Sequence, residues 1–181
     1  MLNEILEKIQ RRNQISNLKK HPQVFFGKIK LGINNQFVLH RNSKKIKIGS
    51  GANFRNYVHI LVENNATLEI GDNFFMNNFC SINCLESISI GNNTLFGENV
   101  KLYDHNHAYQ THPDFKLFNS EFTKAPIKIG NNCWLASNVT VLKGVNIGDN
   151  CIIGAGCIIY QDIPANTTVI NQQDLMLKKR L

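Results

Sequence analysis

Bulky apolar residues recur at every sixth position through the middle and C-terminal parts of the chain. The longest run is Ile129, Leu135, Val141, Ile147, Ile153 and Ile159, and shorter runs with the same step are Ile48, Phe54, Ile60; Ile70, Met76, Ile82; and Ile90, Phe96, Leu102. A six-residue period fits neither an α-helix nor a flat strand and indicates a stacked repeat. The pattern predicts an all-β fold, a parallel β-helix of triangular cross-section whose faces each place one apolar side chain inward per coil.

A second signal marks the corners of this predicted prism. An Ile-Gly pair followed by Ser, Asp or Asn occurs five times, beginning at Ile48, Ile70, Ile90, Ile129 and Ile147. Glycine and asparagine tolerate the left-handed backbone that a tight corner needs. Five corners, together with the strand-like segment 25–48 that leads into them, predict about six coils.

Breaks in the repeat predict where the functional surface lies. The isoleucines of successive corners are separated by 22, 20, 39 and 18 residues, and three hexapeptides account for 18 of these. Wherever extra residues occur, they follow the third hexapeptide of a coil. We therefore expect the insertions to leave the prism at one corner, as insertions that form a binding face often do in repeat proteins. The longest, predicted as a loop over residues 103–126, contains three of the six histidines.

The two ends of the chain depart from the repeat. Leu2, Ile5, Leu6 and Ile9 follow helical spacing, and the polar residues around them are largely basic. We predict that residues 1–24 form a short helical cap over the open end of a β-helix that spans residues 25–170. The alternative is a helix that contacts a membrane surface or an acidic polymer. Residues 171–181 are predicted to be a basic tail.

Composition narrows the class of protein. The 181 residues carry a net charge of +7, which suits an anionic ligand, and no apolar run is long enough to span a membrane. Because no signal-peptide pattern opens the chain, we expect a cytoplasmic protein. The basic residues occur along the whole chain without a nucleic-acid motif, so no nucleic-acid partner is expected. The five cysteines are predicted to be buried thiols, although Cys84 falls outside the phase of the other four.

Candidate chemistry is concentrated where the regular coil gives way to the long insertion. Tyr103, Asp104, His105 and His107 lie within five residues there. A histidine can act as a general base near neutral pH, and a neighbouring carboxylate can orient it. The alternative is that these polar residues only solvate the mouth of a loop. Long insertions in compact domains are usually functional or disordered, which favours the catalytic interpretation.

The run from Ile129 to Gly156, with the hexapeptides before it and the insertion after Leu102, resembles the left-handed β-helix acyltransferases. Among these acyltransferases, the galactoside and maltose O-acetyltransferases and the capsule and lipopolysaccharide O-acetyltransferases are the branch that residues 45–165 resemble. The resemblance implies a left-handed β-helix, acetyl-CoA as co-substrate, a saccharide acceptor and direct acetyl transfer to a hydroxyl. It places the general base at His107, with His105 as the alternative, and leaves Asp104 to orient the imidazole or to hold a sugar hydroxyl.

The resemblance implies further contacts and an assembly. Asn77 and Tyr103 are expected to face the acceptor; the alternative for Asn77 is a role limited to stacking a turn. The expected contacts of acetyl-CoA are Trp134, Ser137, Ala155, Lys178 and Lys179. The alternative for Trp134 is a subunit contact. The chain departs from the family pattern at Tyr160-Gln161 and at residues 170–173. The resemblance also implies a homotrimer with active sites between subunits.

Three other functions remain as alternatives at this point. One keeps acetyl-CoA but transfers the acetyl group to an amino sugar or an antibiotic. Another is a metalloenzyme similar to the γ-type carbonic anhydrases. The five-residue spacing of His107 and His112 could place two ligands, and His59, predicted to point inward, is the only candidate in reach for a third. Because His59 belongs to a different repeat tract, no metal is expected. The last is a non-catalytic scaffold.

Overall fold

The computed structural model describes residues 2–173 and residue 178. After one helix, α1 (Leu2–Lys20), short parallel strands wind as a left-handed β-helix with three flat faces. Strands are numbered along the chain, and each face is one parallel sheet, here called sheets 1, 2 and 3. The stack contains six full coils and a partial seventh, which confirms the predicted fold.

Each sheet takes one strand from every coil. Sheet 1 contains β1 (Val24–Phe26), β4 (Lys45–Ile48), β7 (Thr67–Ile70), β10 (Ser87–Ile90), β15 (Ile127–Ile129) and β18 (Asn146–Ile147). Sheet 2 contains β2 (Lys30–Leu31), β5 (Asn53–Phe54), β8 (Phe75–Met76), β11 (Leu95–Phe96), β16 (Trp134–Leu135), β19 (Ile152–Ile153) and β21 (Thr168–Val169). Sheet 3 contains β3 (Gln36–Leu39), β6 (His59–Val62), β9 (Ser81–Cys84), β12 (Lys101–Tyr103), β17 (Thr140–Val141) and β20 (Ile158–Ile159).

The six-residue period arises because the inward side chains of successive coils stack in columns. All the repeat residues predicted to point inward are buried. In one part of the core, the rings of Phe54, Phe74 and Phe96 pack edge to face, with centroid separations of 5.9 and 4.9 Å. The five cysteines are free thiols in the same core, as predicted, and this includes Cys84.

Asparagine, rather than glycine, takes the left-handed backbone at most corners between sheets 1 and 2. Asn132 has a φ of 55° there. Its side chain donates to Asn150 at 3.1 Å and accepts from Asn93 at 3.2 Å, as one step of an asparagine ladder. The glycine of each Ile-Gly pair serves a different purpose: a Cβ on Gly130 would lie 2.7 Å from the backbone nitrogen of Asp149 in the next coil. The predicted reason for these glycines was therefore wrong, because close approach of coils requires them.

The insertions leave the prism at the corner between sheets 3 and 1, here called corner 3/1. The long insertion was predicted as a loop, but most of it is an antiparallel hairpin of β13 (His105–Gln110) and β14 (Lys116–Lys124). We call this element the histidine hairpin. It is joined to the coils at its base, where Lys124 Nζ donates to the Leu85 carbonyl at 3.2 Å and Lys143 Nζ donates to Thr123 at 2.8 Å.

Helix α1 contacts the first coil through its C-terminal half. Leu18 is buried and Ile15 is partly buried against the core. The predicted apolar stripe faces away: Leu2, Ile5, Leu6 and Ile9 are 71, 48, 55 and 48% exposed. The stripe is therefore not the surface that contacts the solenoid. In the described part of the chain, no helix combines the length and apolar composition needed to cross a bilayer.

Candidate active site

Asp104 stabilises the backbone at the base of the histidine hairpin. Its side chain is fully buried, and its carboxylate accepts hydrogen bonds from the backbone nitrogens of Leu85, Glu86 and Ser87 at 2.8, 2.8 and 2.9 Å. A buried carboxylate occupied in this way has no route to a sugar hydroxyl, so that predicted role for Asp104 is wrong. Its contact with an imidazole is to His105, not to His107.

His105 lies in a partly enclosed position beside this carboxylate. Its Nδ1 is 3.3 Å from Asp104 Oδ1, and its side chain is 16% exposed. The ring meets Phe122 edge to face at 5.3 Å and Tyr103 at 6.1 Å. These contacts hold the ring of His105 between β12 and the histidine hairpin, with Tyr103 at its side.

His107 is exposed and is oriented by the opposite strand of the hairpin. Its Nδ1 lies 3.2 Å from the carbonyl oxygen of Phe118, and its ring packs on Phe122 at 4.8 Å. A carbonyl oxygen can only accept, so Nδ1 carries the hydrogen in this contact. The neutral ring then has its lone pair on Nε2, which is the state required of a general base.

Three of the five residues predicted to bind acetyl-CoA lie at a different corner, between sheets 2 and 3, here called corner 2/3. Trp134 lies on the outer face of β16 and is 49% exposed. Ser137 follows it at the corner, and Ala155 lies in the equivalent position one coil further on, as the pairing of β16 with β19 requires. The Gly156 nitrogen donates to the Ser137 carbonyl at 3.0 Å. Of the basic tail, Lys178 is exposed, and Lys179 lies outside the described residues.

Asn77 is at the same corner two coils earlier, directly after β8. Its Oδ1 accepts from the Asn78 nitrogen at 2.9 Å, so part of its hydrogen-bonding capacity serves the turn. Corners 2/3 and 3/1 are separated by the width of sheet 3, roughly 15 Å at the usual rise of a strand. A single chain therefore places Asn77 and the histidine hairpin at opposite edges of one face.

The histidines of the metalloenzyme alternative are not assembled in the chain. His59 was predicted to point inward, but it alternates with the buried Ile60 and lies on the outer face of sheet 3, where its Nδ1 is 3.3 Å from Gln36. That prediction was wrong because the inward position belongs to the repeat isoleucine. Among the described residues, no three His, Cys, Asp or Glu side chains are grouped as metal ligands.

Comparison with known proteins agrees with this architecture. A family model described as bacterial transferase hexapeptide (six repeats) matches residues 126–161. The chain is 31% identical over 144 residues to WbbJ of Escherichia coli K12, named as a lipopolysaccharide biosynthesis O-acetyl transferase; the match covers 73% of this chain and 71% of WbbJ. The chain belongs to the hexapeptide-repeat acetyltransferase family.

Other members of the hexapeptide-repeat acetyltransferase family match over shorter parts of their length. The galactoside O-acetyltransferase of Escherichia coli K12 is 41% identical over 101 residues, which cover 56% of this chain and 48% of that protein. The chain thus spans about half the length of this relative. A solved galactoside acetyltransferase in complex with coenzyme A superposes with a TM-score of 0.52 at 30% identity, over 87% of this chain and 64% of that one.

Two residues that shape the site were missed from the sequence. Phe118 supplies the carbonyl that orients His107, and Phe122 packs against both candidate histidines. The sequence did contain a signal for the hairpin. Thr111-His112-Pro113-Asp114 has a composition typical of a hairpin turn, and a segment of strand-forming residues, polar and apolar, lies on either side of it.

Proposed function

We propose that this protein is an acetyl-CoA-dependent O-acetyltransferase that acts on a hydroxyl group of a saccharide. The observation that carries the proposal is His107, an exposed imidazole whose Nδ1 is engaged by a backbone carbonyl and whose Nε2 has no hydrogen-bond partner among the described residues. It lies on the largest insertion of a hexapeptide prism, in a family of acetyltransferases. His105 is the weaker candidate because its side chain is only 16% exposed, whereas His107 is open to solvent.

The proposed reaction is a direct transfer with His107 as general base. Nε2 accepts the proton of the acceptor hydroxyl as its oxygen attacks the thioester carbonyl, which forms a carbon–oxygen bond and a tetrahedral oxyanion. A backbone N–H would stabilise that oxyanion. The carbon–sulfur bond then breaks, and the leaving thiolate of coenzyme A takes the proton back from the imidazolium. No covalent enzyme intermediate is needed.

The proposed binding track for the pantetheine arm of acetyl-CoA runs along corner 2/3. Ser137 and Ala155 are small residues stacked in line, which leaves room for an extended chain, and the indole of Trp134 forms a wall beside them. Lys178 and Lys179 are proposed to meet the phosphates. Asn77 and Tyr103 are proposed to contact the acceptor.

We propose that the active site is completed in a homotrimer. Sheet 2 exposes an apolar row of Leu95, Trp134 and Ile152, with exposed fractions of 40, 49 and 41%. The tip of the histidine hairpin exposes Tyr109 and Phe115, although an isolated two-stranded hairpin is marginal in water. Packing these surfaces against neighbouring subunits would bring the hairpin of one prism to corner 2/3 of the next. A cytoplasmic location stays a prediction.

Acceptor-dependent release of coenzyme A tests the proposal. The full chain is incubated with acetyl-CoA and a panel of neutral sugars, amino sugars and polysaccharide fragments, and free thiol is measured. Mass spectrometry then locates the acetyl group. Thiol release with an O-acetylated sugar supports the proposal. N-acetylation alone would favour the amino-sugar alternative, and no acceptor-dependent release would contradict acetyl transfer to saccharides.

A further inference from the structure

A basic groove separates helix α1 from the first two coils, and it reaches corner 2/3 one coil before Asn77. It has a volume of about 880 Å³ and lies between one side of α1 and the outer face of sheet 2. We propose that this groove binds a diphosphate ester, with the attached sugar or nucleoside seated beside the phosphates. We call it the basic groove, and its lining is Arg11, Arg12, Ile15, Ser16, Lys19, Ile29, Lys30, Leu31, Gly32, Asn53, Phe54, Arg55 and Asn56.

The charge lining the basic groove is of one sign. Five cationic side chains line it, and no carboxylate does. Arg11 is paired with Glu7 at 2.8 Å. In the described part of the chain, Arg12, Lys19, Lys30 and Arg55 have no carboxylate partner. Converging cations repel one another, so this arrangement is most stable when an anion lies among them.

The same asymmetry runs through the sequence. Residues 1–55 contain twelve of the twenty Lys and Arg residues and two of the thirteen Asp and Glu residues, a net charge of +10, whereas residues 56–181 carry −3. The expectation that basic residues are distributed along the chain was therefore wrong. The excess positive charge is confined to α1 and the first two coils, which form the basic groove.

The arrangement of donors favours a diphosphate over a single anion. Arg12 on α1 and Arg55 after β5 can each offer a planar fork of N–H groups, the geometry that matches phosphate oxygens. Lys19 on α1 and Lys30 on β2 add point charges, so the cations come from both walls of the groove. A ligand with two linked anionic groups can engage both walls at once.

The remaining lining suits a group attached to the phosphates. Ile15 and Ile29 offer apolar surface, and Ser16, Asn53 and Asn56 offer hydroxyl and amide groups for ribose or sugar hydroxyls. The volume exceeds what a diphosphate alone needs and falls in the usual range of small-molecule sites. Soluble nucleotide sugars and lipid-linked sugars share this diphosphate ester chemistry.

Calorimetric titration of the full chain with inorganic pyrophosphate tests the proposal without acetyl-CoA, so its outcome is independent of acetyl transfer. The groove variant is Arg12→Gln/Lys30→Gln/Arg55→Gln. The control, Lys20→Gln/Arg41→Gln/Lys44→Gln, removes the same charge from exposed positions outside the groove. We expect pyrophosphate to bind the unmodified chain with one site per chain and at least about tenfold more tightly than inorganic phosphate.

The groove variant should lose at least about tenfold in pyrophosphate affinity and the control less than about threefold, with ligand-free melting temperatures no lower than that of the unmodified chain. Equal losses in the two variants, or no preference for pyrophosphate over phosphate, would overturn the proposal. Two further ligands identify which kind of molecule supplies the diphosphate.

Tighter binding of UDP-glucose than of pyrophosphate assigns a nucleotide sugar. Tighter binding of geranylgeranyl diphosphate, presented in neutral vesicles, than of pyrophosphate assigns a lipid carrier. Weaker binding of both than of phosphate would also overturn the proposal.

Discussion

At the scale of single residues, Asp104 and His107 show why neighbours in sequence can have different roles. Asp104 is buried and bound to three backbone nitrogens, whereas His107, three residues later, is exposed. The sequence placed both at the start of the insertion and thus at the right corner. It did not separate their roles, because the partner of each lies far along the chain, at residues 85–87 for one and at Phe118 for the other.

Removing the Asp104 carboxylate should destabilise the protein. Asp104→Ala leaves the buried N–H group of Leu85 and the partly buried N–H groups of Glu86 and Ser87 without this acceptor, and we expect it to lower the free energy of unfolding by about 3 kcal/mol. Urea denaturation followed by circular dichroism measures the effect. Asp114→Ala, at an exposed position of the hairpin, is the matched control and should change little. Equal effects of the two substitutions would contradict the assigned role of Asp104.

The buried thiols predict a loss of stability in alkali. Burial raises the pKa of Cys80 from 9.0 to about 11. Burial, and then the nearby Asp104 carboxylate, raise the pKa of Cys84 still further. Above pH 9 the thiols ionise in the unfolded chain but stay protonated in the folded one, so stability is complete below pH 9 and falls as pH rises.

For Cys80 the decline should be about 1.4 kcal/mol per pH unit between pH 9 and 11. Denaturant titrations across that range measure it. Cys80→Ala should flatten the decline by this amount, and an unchanged slope in that variant would exclude the thiol as its cause.

At the scale of elements, the hexapeptide strands could be predicted in detail because each inward position is marked by one large apolar residue. The histidine hairpin was missed because its strands are mostly exposed and lack that marking, so only the weaker signal of its turn composition was available. The corners were predicted correctly as places, and both glycine and asparagine were named for the left-handed backbone, but at most corners between sheets 1 and 2 the asparagine adopts it. Both residues tolerate that conformation, and only the distance between coils distinguishes their roles.

The asparagine ladder gives a test at this scale. Asn132→Ala removes two ladder hydrogen bonds. It also leaves a residue with a Cβ in the left-handed backbone at a φ of 55°, without the amide side chain whose hydrogen bonds offset the cost of that conformation. We expect a loss of about 2–3 kcal/mol in the free energy of unfolding. Asn132→Gly keeps the favourable backbone and should lose roughly half as much. Chemical denaturation compares the two, and a larger loss for Gly than for Ala would contradict the backbone argument.

At the scale of the whole molecule, the candidate site is divided between two corners of the prism. The family resemblance implied active sites between subunits, which agrees with this division. The hexapeptide pattern alone could not predict it, because the period identifies the residues that point inward and does not determine how prisms pack against each other. The exposed row of Leu95, Trp134 and Ile152 supplies a surface for such packing.

Mixed assemblies test whether neighbouring subunits share an active site. His107→Ala and Asn77→Ala should each be nearly inactive alone. The two variants are mixed in equal amounts, unfolded together and refolded. If the two residues act across an interface, about a quarter of the unmodified activity should return. That is the fraction of interfaces in a closed ring at which an intact His107 meets an intact Asn77. Activity that stays at the level of the separate variants would place both residues in one subunit's site.

The most direct test of the central claim is the turnover of His107→Ala in the coenzyme A release assay, with His105→Ala measured beside it. The proposed mechanism predicts that His107→Ala folds normally and lowers turnover by about 10²–10⁴-fold, because the acceptor hydroxyl loses its general base. His105→Ala should retain most of the activity. Near-normal turnover by His107→Ala would contradict the account, and loss of activity only in His105→Ala would transfer the role of base to His105.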